Sequence, residues 1–181
     1  MTTFVGLLRG INVSGQKSIR MVDLRNSLAA LGFANVRSYL QSGNLVFDAS
    51  RGEPRKLASA IKARIAVDFR HEVEVFVLPA KGFGLVASSN PLLPRRGADE
   101  KLFHATFLFQ PVAKADFQKL KLPARPGEQV VLNGQVVLLH CPHGYGRTKL
   151  NNTFFEKALK VIATSRNWRT ILALQALCTQ Q

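Results

Sequence analysis

The sequence predicts an α+β protein of two tandem β-α-β-β-α-β units, each an antiparallel sheet backed by helices, followed by a C-terminal helix. Three observations lead there. Val73, Val75 and Val77 alternate with Glu74 and Phe76, the period of a strand, whereas Met21, Leu24, Leu28 and Leu31 recur at helical spacing. Short strand-like runs come in pairs around a few turn residues, a spacing that only antiparallel neighbours allow. The same order of elements then occurs twice, on either side of a stretch from Pro79 to Lys101 that holds Gly, Ser and Pro.

Taken in order, Thr3 to Arg9 is an apolar strand that breaks at the turn-rich Gly10 to Gly15. A helix follows from Met21, with Asp23 in its first turn and Gly32 suited to a left-handed stop. Val36 to Leu40 and Asn44 to Asp48 are strands joined through Gln41-Ser42-Gly43. Pro54 opens a helix, where its missing N–H costs nothing, and Leu57, Ile61 and Ile65 continue it. The strand over Val73 to Val77 closes the first unit. Gly82 and Gly84 would each weaken a short helix after Pro79 by about 1 kcal/mol. The later part of that stretch, through Asn90-Pro91 and Pro94-Arg95-Arg96-Gly97, reads as the linker, with Asp99-Glu100 solvated in it.

In the second unit Phe103 to Phe109 is a strand and Lys114 to Leu122 a helix ended by Pro123. Gln129 to Leu132 and Gln135 to His140 flank Asn133-Gly134, a hairpin expected to turn as type I′. Cys141 to Lys149 is a loop, Asn151 to Val161 a helix, Ala163 to Ser165 room for a very short strand, and Arg169 to Leu177 the closing helix. The expected domains are 1–90 and 91–181.

Composition narrows the function classes. Of 181 residues 46% are apolar, enough for packed cores and too many for a disordered chain. No run of about 18 apolar residues exists to cross a bilayer, so no membrane partner is expected. Met1 to Val5 has neither the basic region nor the apolar stretch of a secretory signal. Cys141 and Cys178 form no CxxC pair, which makes a reducing cytoplasm the expected location. The 25 basic against 11 acidic residues give +14, spread over both halves. Such an excess attracts polyanions, or simply solvates helix faces. The densest stretch, His143 to Arg169, sets six basic residues against Glu156 alone.

Gly10 to Ser18 is one residue away from the phosphate-binding G-x-x-x-x-G-K-[ST], with Gln16 inserted between Gly15 and Lys17. Strands joined through Gln41 to Gly43 cannot be the parallel neighbours that a nucleotide hydrolase of that kind needs. What remains is a loop rich in backbone N–H groups, with Arg9, Lys17 and Arg20 beside it, able to hold an anion. If the first and third strands are antiparallel neighbours, Arg9, Gly10 and Asn12 come close to Gln41, Ser42, Gly43 and Asn44. That cluster suits a phosphate or an amide-bearing base edge; equally, Asn12 and Asn44 satisfy turn backbone. Tyr145, Arg147 and Lys149 precede a helix, where they suit a phosphate with a stacked base, or where Tyr145 packs and the charges face water.

Other motifs fall away. His140-Cys141-Pro142-His143 has no second cluster to complete a zinc site. The two S-x-x-K strings, at Ser14 and Ser59, lack the motifs that accompany a serine nucleophile, and no G-x-S-x-G exists. Trp168, the single tryptophan, reads as core.

Several blocks are together familiar: Leu8-Arg9-Gly10-Ile11-Asn12-Val13, Leu24-Arg25, Leu31-Gly32-Phe33, Tyr39-Leu40-Gln41-Ser42-Gly43-Asn44, Asn90-Pro91, Gly144 to Leu150 and Arg166 to Thr170. Over nearly the whole chain they resemble the bacterial domain of unknown function 1697 family. The resemblance implies two ferredoxin-like subdomains and a cytoplasmic protein, without an assigned reaction. Ser14 and Arg20 stand where that family commonly has Gly and Pro.

Two functional expectations result. In one, single-stranded DNA or RNA, or another phosphate-bearing polyanion, lies on basic loops, with Arg9, Lys17, Arg147, Lys149 and Arg169 on phosphates and Tyr145 stacking. The aromatic string of an RNA-recognition sheet is missing, so no strand aromatics are assigned to bases. In the other, an enzyme or small-ligand binder holds a nucleotide or phosphorylated metabolite in the cleft between subdomains, using Arg9, Asn12, Gln41, Ser42 and Asn44. No catalytic constellation, cofactor or metal is expected.

Overall fold

Thr2–Leu8 (β1) and Phe103–Leu108 (β5) each run down the interior of a four-stranded antiparallel sheet. They belong to separate compact units of the computed structural model, which describes residues 1–50, 52–94 and 96–180. One unit comprises Met1–Ala87 and the chain from Ala173 on; the other is Ser88–Leu172. The protein is thus α+β, with two antiparallel sheets and, among the described residues, six α-helices.

In the first unit β1 is followed by helix α1 (Met21–Ala29), strands β2 (Ala34–Tyr39) and β3 (Asn44–Ala49), helix α2 (Pro54–Phe69) and strand β4 (Val75–Pro79). The strand order is β2-β3-β1-β4, with Leu7 opposite Asn44 and Leu8 opposite Val75. The period-2 pattern sends Phe4, Leu8, Leu45, Phe47, Val75 and Val77 to one face. There they meet Met21, Leu24 and Leu28 of α1 and Leu57, Ile61 and Ile65 of α2, all buried. Each such side chain contributes roughly 1.5–3 kcal/mol through removal from water. Between Ala34 and Arg37 the β2–β3 register shifts, with Asn35 at φ 49, so the edge strand carries a bulge. Helix α3 (Ala80–Ser88) forms despite Gly82 and Gly84. Its Phe83 is fully buried, and a Cβ on Gly84 would lie 3.2 Å from the Gln175 side chain.

The second unit holds β5, helix α4 (Lys114–Gln118), strands β6 (Gln129–Asn133) and β7 (Val136–His140), helix α5 (Asn152–Leu159) and strand β8 (Ala163–Asn167), in the order β6-β7-β5-β8. Leu108, Val137, Leu139 and Ala163 meet Phe117 of α4 and Phe155 of α5. The last helix, α6, spans Trp168–Thr179, and Trp168 is core, 1% exposed.

Several expectations need correction. The β6–β7 turn is centred on Gly134 and Gln135, with Asn133 already paired to Val136. Only Gly134 has positive φ, the signature of type II′ rather than I′, because that turn asks a left-handed conformation of its first central residue alone. Helix α4 stops at Gln118, short of Leu122, and Leu120 beyond it packs on the core. Strand β8 runs two residues past Ser165, since all five of its residues find partners on β5. Asp99 does more than meet water: its Oδ1 accepts from the Lys101 N–H and caps a turn of 3-10 helix at Glu100–Leu102. Arg95, counted in the expected linker, lies outside the described residues.

Candidate functional site

The antiparallel pairing of β1 with β3 does bring the Arg9–Lys17 loop to the Leu40–Gly43 turn. Five residues between Gly10 and Lys17 take positive φ: Gly10, Asn12, Ser14, Gly15 and Lys17. Ser14 and Gly15 are the centre of a tight hairpin closed by the Gln16 N–H to the Val13 carbonyl, 2.9 Å. Asn12 ties this hairpin to its surroundings. Its Nδ2 donates to the Ile19 and Gln41 carbonyls at 2.9 and 2.6 Å, and its Oδ1 accepts from the Ile19 N–H at 2.8 Å. Asn44 is buried, its Nδ2 donating to the Tyr39 carbonyl and the Ser42 hydroxyl. Both amides therefore serve turn backbone. Asn12→Ala should lower the unfolding free energy by about 1–2 kcal/mol, read by urea denaturation, because two carbonyls and one N–H lose their partner. An unchanged midpoint would show that water replaces the amide fully.

The other residues of this loop are engaged to different degrees. The Lys17 ammonium donates one bond to the Glu72 carbonyl, 2.5 Å. Arg9 is half-buried and its backbone N–H donates to the Glu74 carbonyl. Gln41 is exposed. Its neighbour Leu40 is exposed by 58% and held at φ 56, an unusual conformation for a branched apolar residue at a surface.

Beside that turn lies a cavity of about 340 Å3, lined by Arg20, Met21, Val22, Arg25, Ser38, Leu40 and Gln41. Its charged lining is two guanidiniums. Arg25 is oriented by one bond, Nη1 to Ser38 Oγ on β2 at 2.7 Å. Arg20 is 80% exposed and lies 3.6 Å from Asp23, an exposed pair of little strength. A larger hollow of about 870 Å3 in the same unit is lined in part by Thr3, Asn35, Arg37, Asp48 and Cys178. Its polar groups are spent on the fold. Arg37 donates to the Leu177 and Gln180 carbonyls. Burial acts to raise the Asp48 carboxyl, but hydrogen bonds from Asn35 and Thr3 outweigh it and hold it below the ordinary range.

In the second unit Tyr145 turns inward. Its ring stacks on His104 at 4.3 Å and its hydroxyl donates to Ser165 Oγ at 2.8 Å, and burial pushes its pKa up. Ser165 in turn donates to Asn152 Oδ1 and shares a bond with Thr106. His104 contacts Asn167 at 3.2 Å, and burial holds its imidazole down at about 4, opposed by the nearby Leu102 carbonyl. Arg166 is buried, donates to Thr164 and the Ser165 carbonyl, and is lowered to about 10 by desolvation. Burial, reinforced by Glu128, raises the Cys141 thiol to about 11, which leaves it a poor nucleophile at neutral pH. His140 stacks on Phe103 and His143 contacts the Pro126 carbonyl. Arg147, Lys149 and Arg169 remain exposed, and among the described residues none is in an ion pair. Asn167, which accepts from the Arg169 N–H, links Arg169 through His104 to the turn that carries Tyr145 and Arg147.

The expected set includes Gln41 and the loop charges but not Arg25 or Ser38, which line the cavity with Gln41. A weak signal existed: Arg20 and Arg25 are cations at the start of a helix that follows a turn-rich loop.

No curated protein matches the chain. A family described as protein of unknown function (DUF1697) matches residues 1–138. Among solved structures, the conserved bacterial protein SP0830 from Streptococcus pneumoniae is similar, with a TM-score of 0.77 at 22% identity, over 98% of this chain and 99% of that one. At such identity the likeness speaks for the fold alone.

Proposed function

Since the chain belongs to the DUF1697 family of proteins of unknown function, we propose a role from its own surface: binding of single-stranded nucleic acid through cationic loops. The observation that carries this reading is the set Arg147, Lys149 and Arg169, exposed and, among the described residues, without ion-pair partners, in a chain of net charge +14. Guanidinium and ammonium groups left to water at loop ends are the usual means of holding phosphates, and they carry no sequence information. Lys17 and Arg9 are assigned to the same task on the first unit. Tyr145 is not needed for it, since its ring already stacks on a protein side chain. The strand orders β2-β3-β1-β4 and β6-β7-β5-β8, with helices on one face of each core, support a reading of both units as ferredoxin-like. Among the described residues no helix is long and apolar enough to cross a membrane.

Binding of a fluorescent single-stranded oligonucleotide across a salt series tests the reading. Log affinity should fall by roughly 0.7 per phosphate neutralised for each tenfold rise in salt. Arg147→Ala should weaken binding several-fold and reduce that slope by about one contact. A flat salt response, or equal affinity for the variant, is incompatible with the assignment.

A further inference from the structure

We propose that the cavity beside the N-terminal end of α1 is a nucleotide subsite. Arg20 and Arg25 would hold a phosphate there, and the exposed side chains of Leu40 and Val22 would cover the face of the attached base. This deepens the nucleic-acid reading and rests on it. Four observations converge. Among the described residues the charged groups lining the cavity are both guanidiniums, and no carboxylate lines it. Arg25 is half-buried and fixed by Ser38 through a single Nη1 bond, and among the described residues no other hydrogen bond or ion pair engages it. Its remaining N–H groups are thus pre-oriented and uncommitted, which suits the forked recognition of phosphate oxygens. Leu40 and Val22 are 58% and 49% exposed, and Leu40, at φ 56, lies in the turn that Asn44 closes through its bond to the Tyr39 carbonyl. A strained, exposed apolar residue on the rim of a cationic cavity fits a ligand that is charged at one end and flat and apolar at the other. At about 340 Å3 the space exceeds what a lone phosphate fills and lies at the lower end for small-molecule sites.

The guest is a nucleoside monophosphate unit, free or as one residue of a strand. Calorimetric titration of the full chain with adenosine monophosphate, adenosine, inorganic phosphate and a single-stranded oligonucleotide distinguishes the sources. Adenosine monophosphate should bind more tightly than either adenosine or inorganic phosphate, and should compete with the oligonucleotide if the strand uses the same place. Arg25→Gln should weaken the nucleotide by about tenfold, the scale of one charge-assisted contact. Asp23→Asn, which removes the anion competing for Arg20, should tighten it by about threefold, a gain that misfolding cannot imitate. Leu40→Ser should weaken the nucleotide while leaving inorganic phosphate unchanged. The subsite is overturned if inorganic phosphate equals the nucleotide, or if Asp23→Asn and Leu40→Ser both bind as the parent does. Should the oligonucleotide bind the parent and Arg25→Gln alike but lose affinity with Arg147→Ala, the subsite fails and the wider reading stands. If neither nucleotide nor oligonucleotide binds at low salt, both fail.

Discussion

Replacing Gly43 by alanine should destabilise the protein by about 3 kcal/mol, the sum of a left-handed conformation and an overpacked contact. Gly43 sits at φ 76, and a Cβ there would lie 2.6 Å from the Leu8 Cβ and 3.0 Å from Ile11 Cδ1. Both neighbours are fully buried, and the Gly43 carbonyl accepts the Leu8 N–H at 2.8 Å. Neither the strand backbone nor the core can therefore yield cheaply. Gly10, at φ 69, has nothing within 4 Å of its virtual Cβ, so Gly10→Ala should cost only the conformational part, about 1–2 kcal/mol. For a chain of this size the Gly43 variant should melt about 6–12 °C lower. Equal losses from the two substitutions would show that the Leu8 contact relaxes and that φ alone matters.

The second large effect is a dependence of stability on pH set by His104. Its imidazole is buried, and desolvation lowers its pKa from 6.5 to about 4. The unfolded chain takes up the proton first. The stabilisation is thus complete above pH 6.5 and is lost as pH falls from 6.5 through 4, about 3 kcal/mol in all. Asp48, held below the ordinary carboxyl range, adds a further loss only as the pH approaches and passes below 3.8. Urea unfolding at pH 7 and at pH 4.5 measures the His104 window before Asp48 contributes. His104→Phe keeps a ring against Tyr145 and removes the titrating group, so its stability should change far less over that interval. The same slope in the variant would assign the effect to another group.

Local periodicity makes most of the fold legible in the sequence. The buried faces of α1 and α2 follow from Met21, Leu24, Leu28 and from Leu57, Ile61, Ile65, because a helix must bury the stripe it repeats. Antiparallel pairing of the second and third strands follows from turn length, and the usual strand order of a β-α-β-β-α-β unit sets the first strand beside the third, where Asn12 meets Gln41. Two kinds of feature were hidden. β8 reads Ala-Thr-Ser-Arg-Asn, with little apolar alternation, and becomes a strand because β5 offers it a ladder. Arg25 acquires its orientation from Ser38, thirteen residues on and in another element, a pairing that no window of local sequence contains. Tyr145 illustrates the converse: flanked by glycines and cations it looks like a surface aromatic, yet His104 and Ser165 draw it in.

The irregular pairing at the border strand β2 has an outcome for behaviour in concentrated solution. A second chain can lengthen a sheet only where its outermost strand presents amide and carbonyl groups at regular intervals. The break between Ala34 and Arg37, with Asn35 rotated to positive φ and the Arg37 cation planted beside it, interrupts that comb. Backbone shape at this edge thereby disfavours fibre-like growth from this side of the molecule.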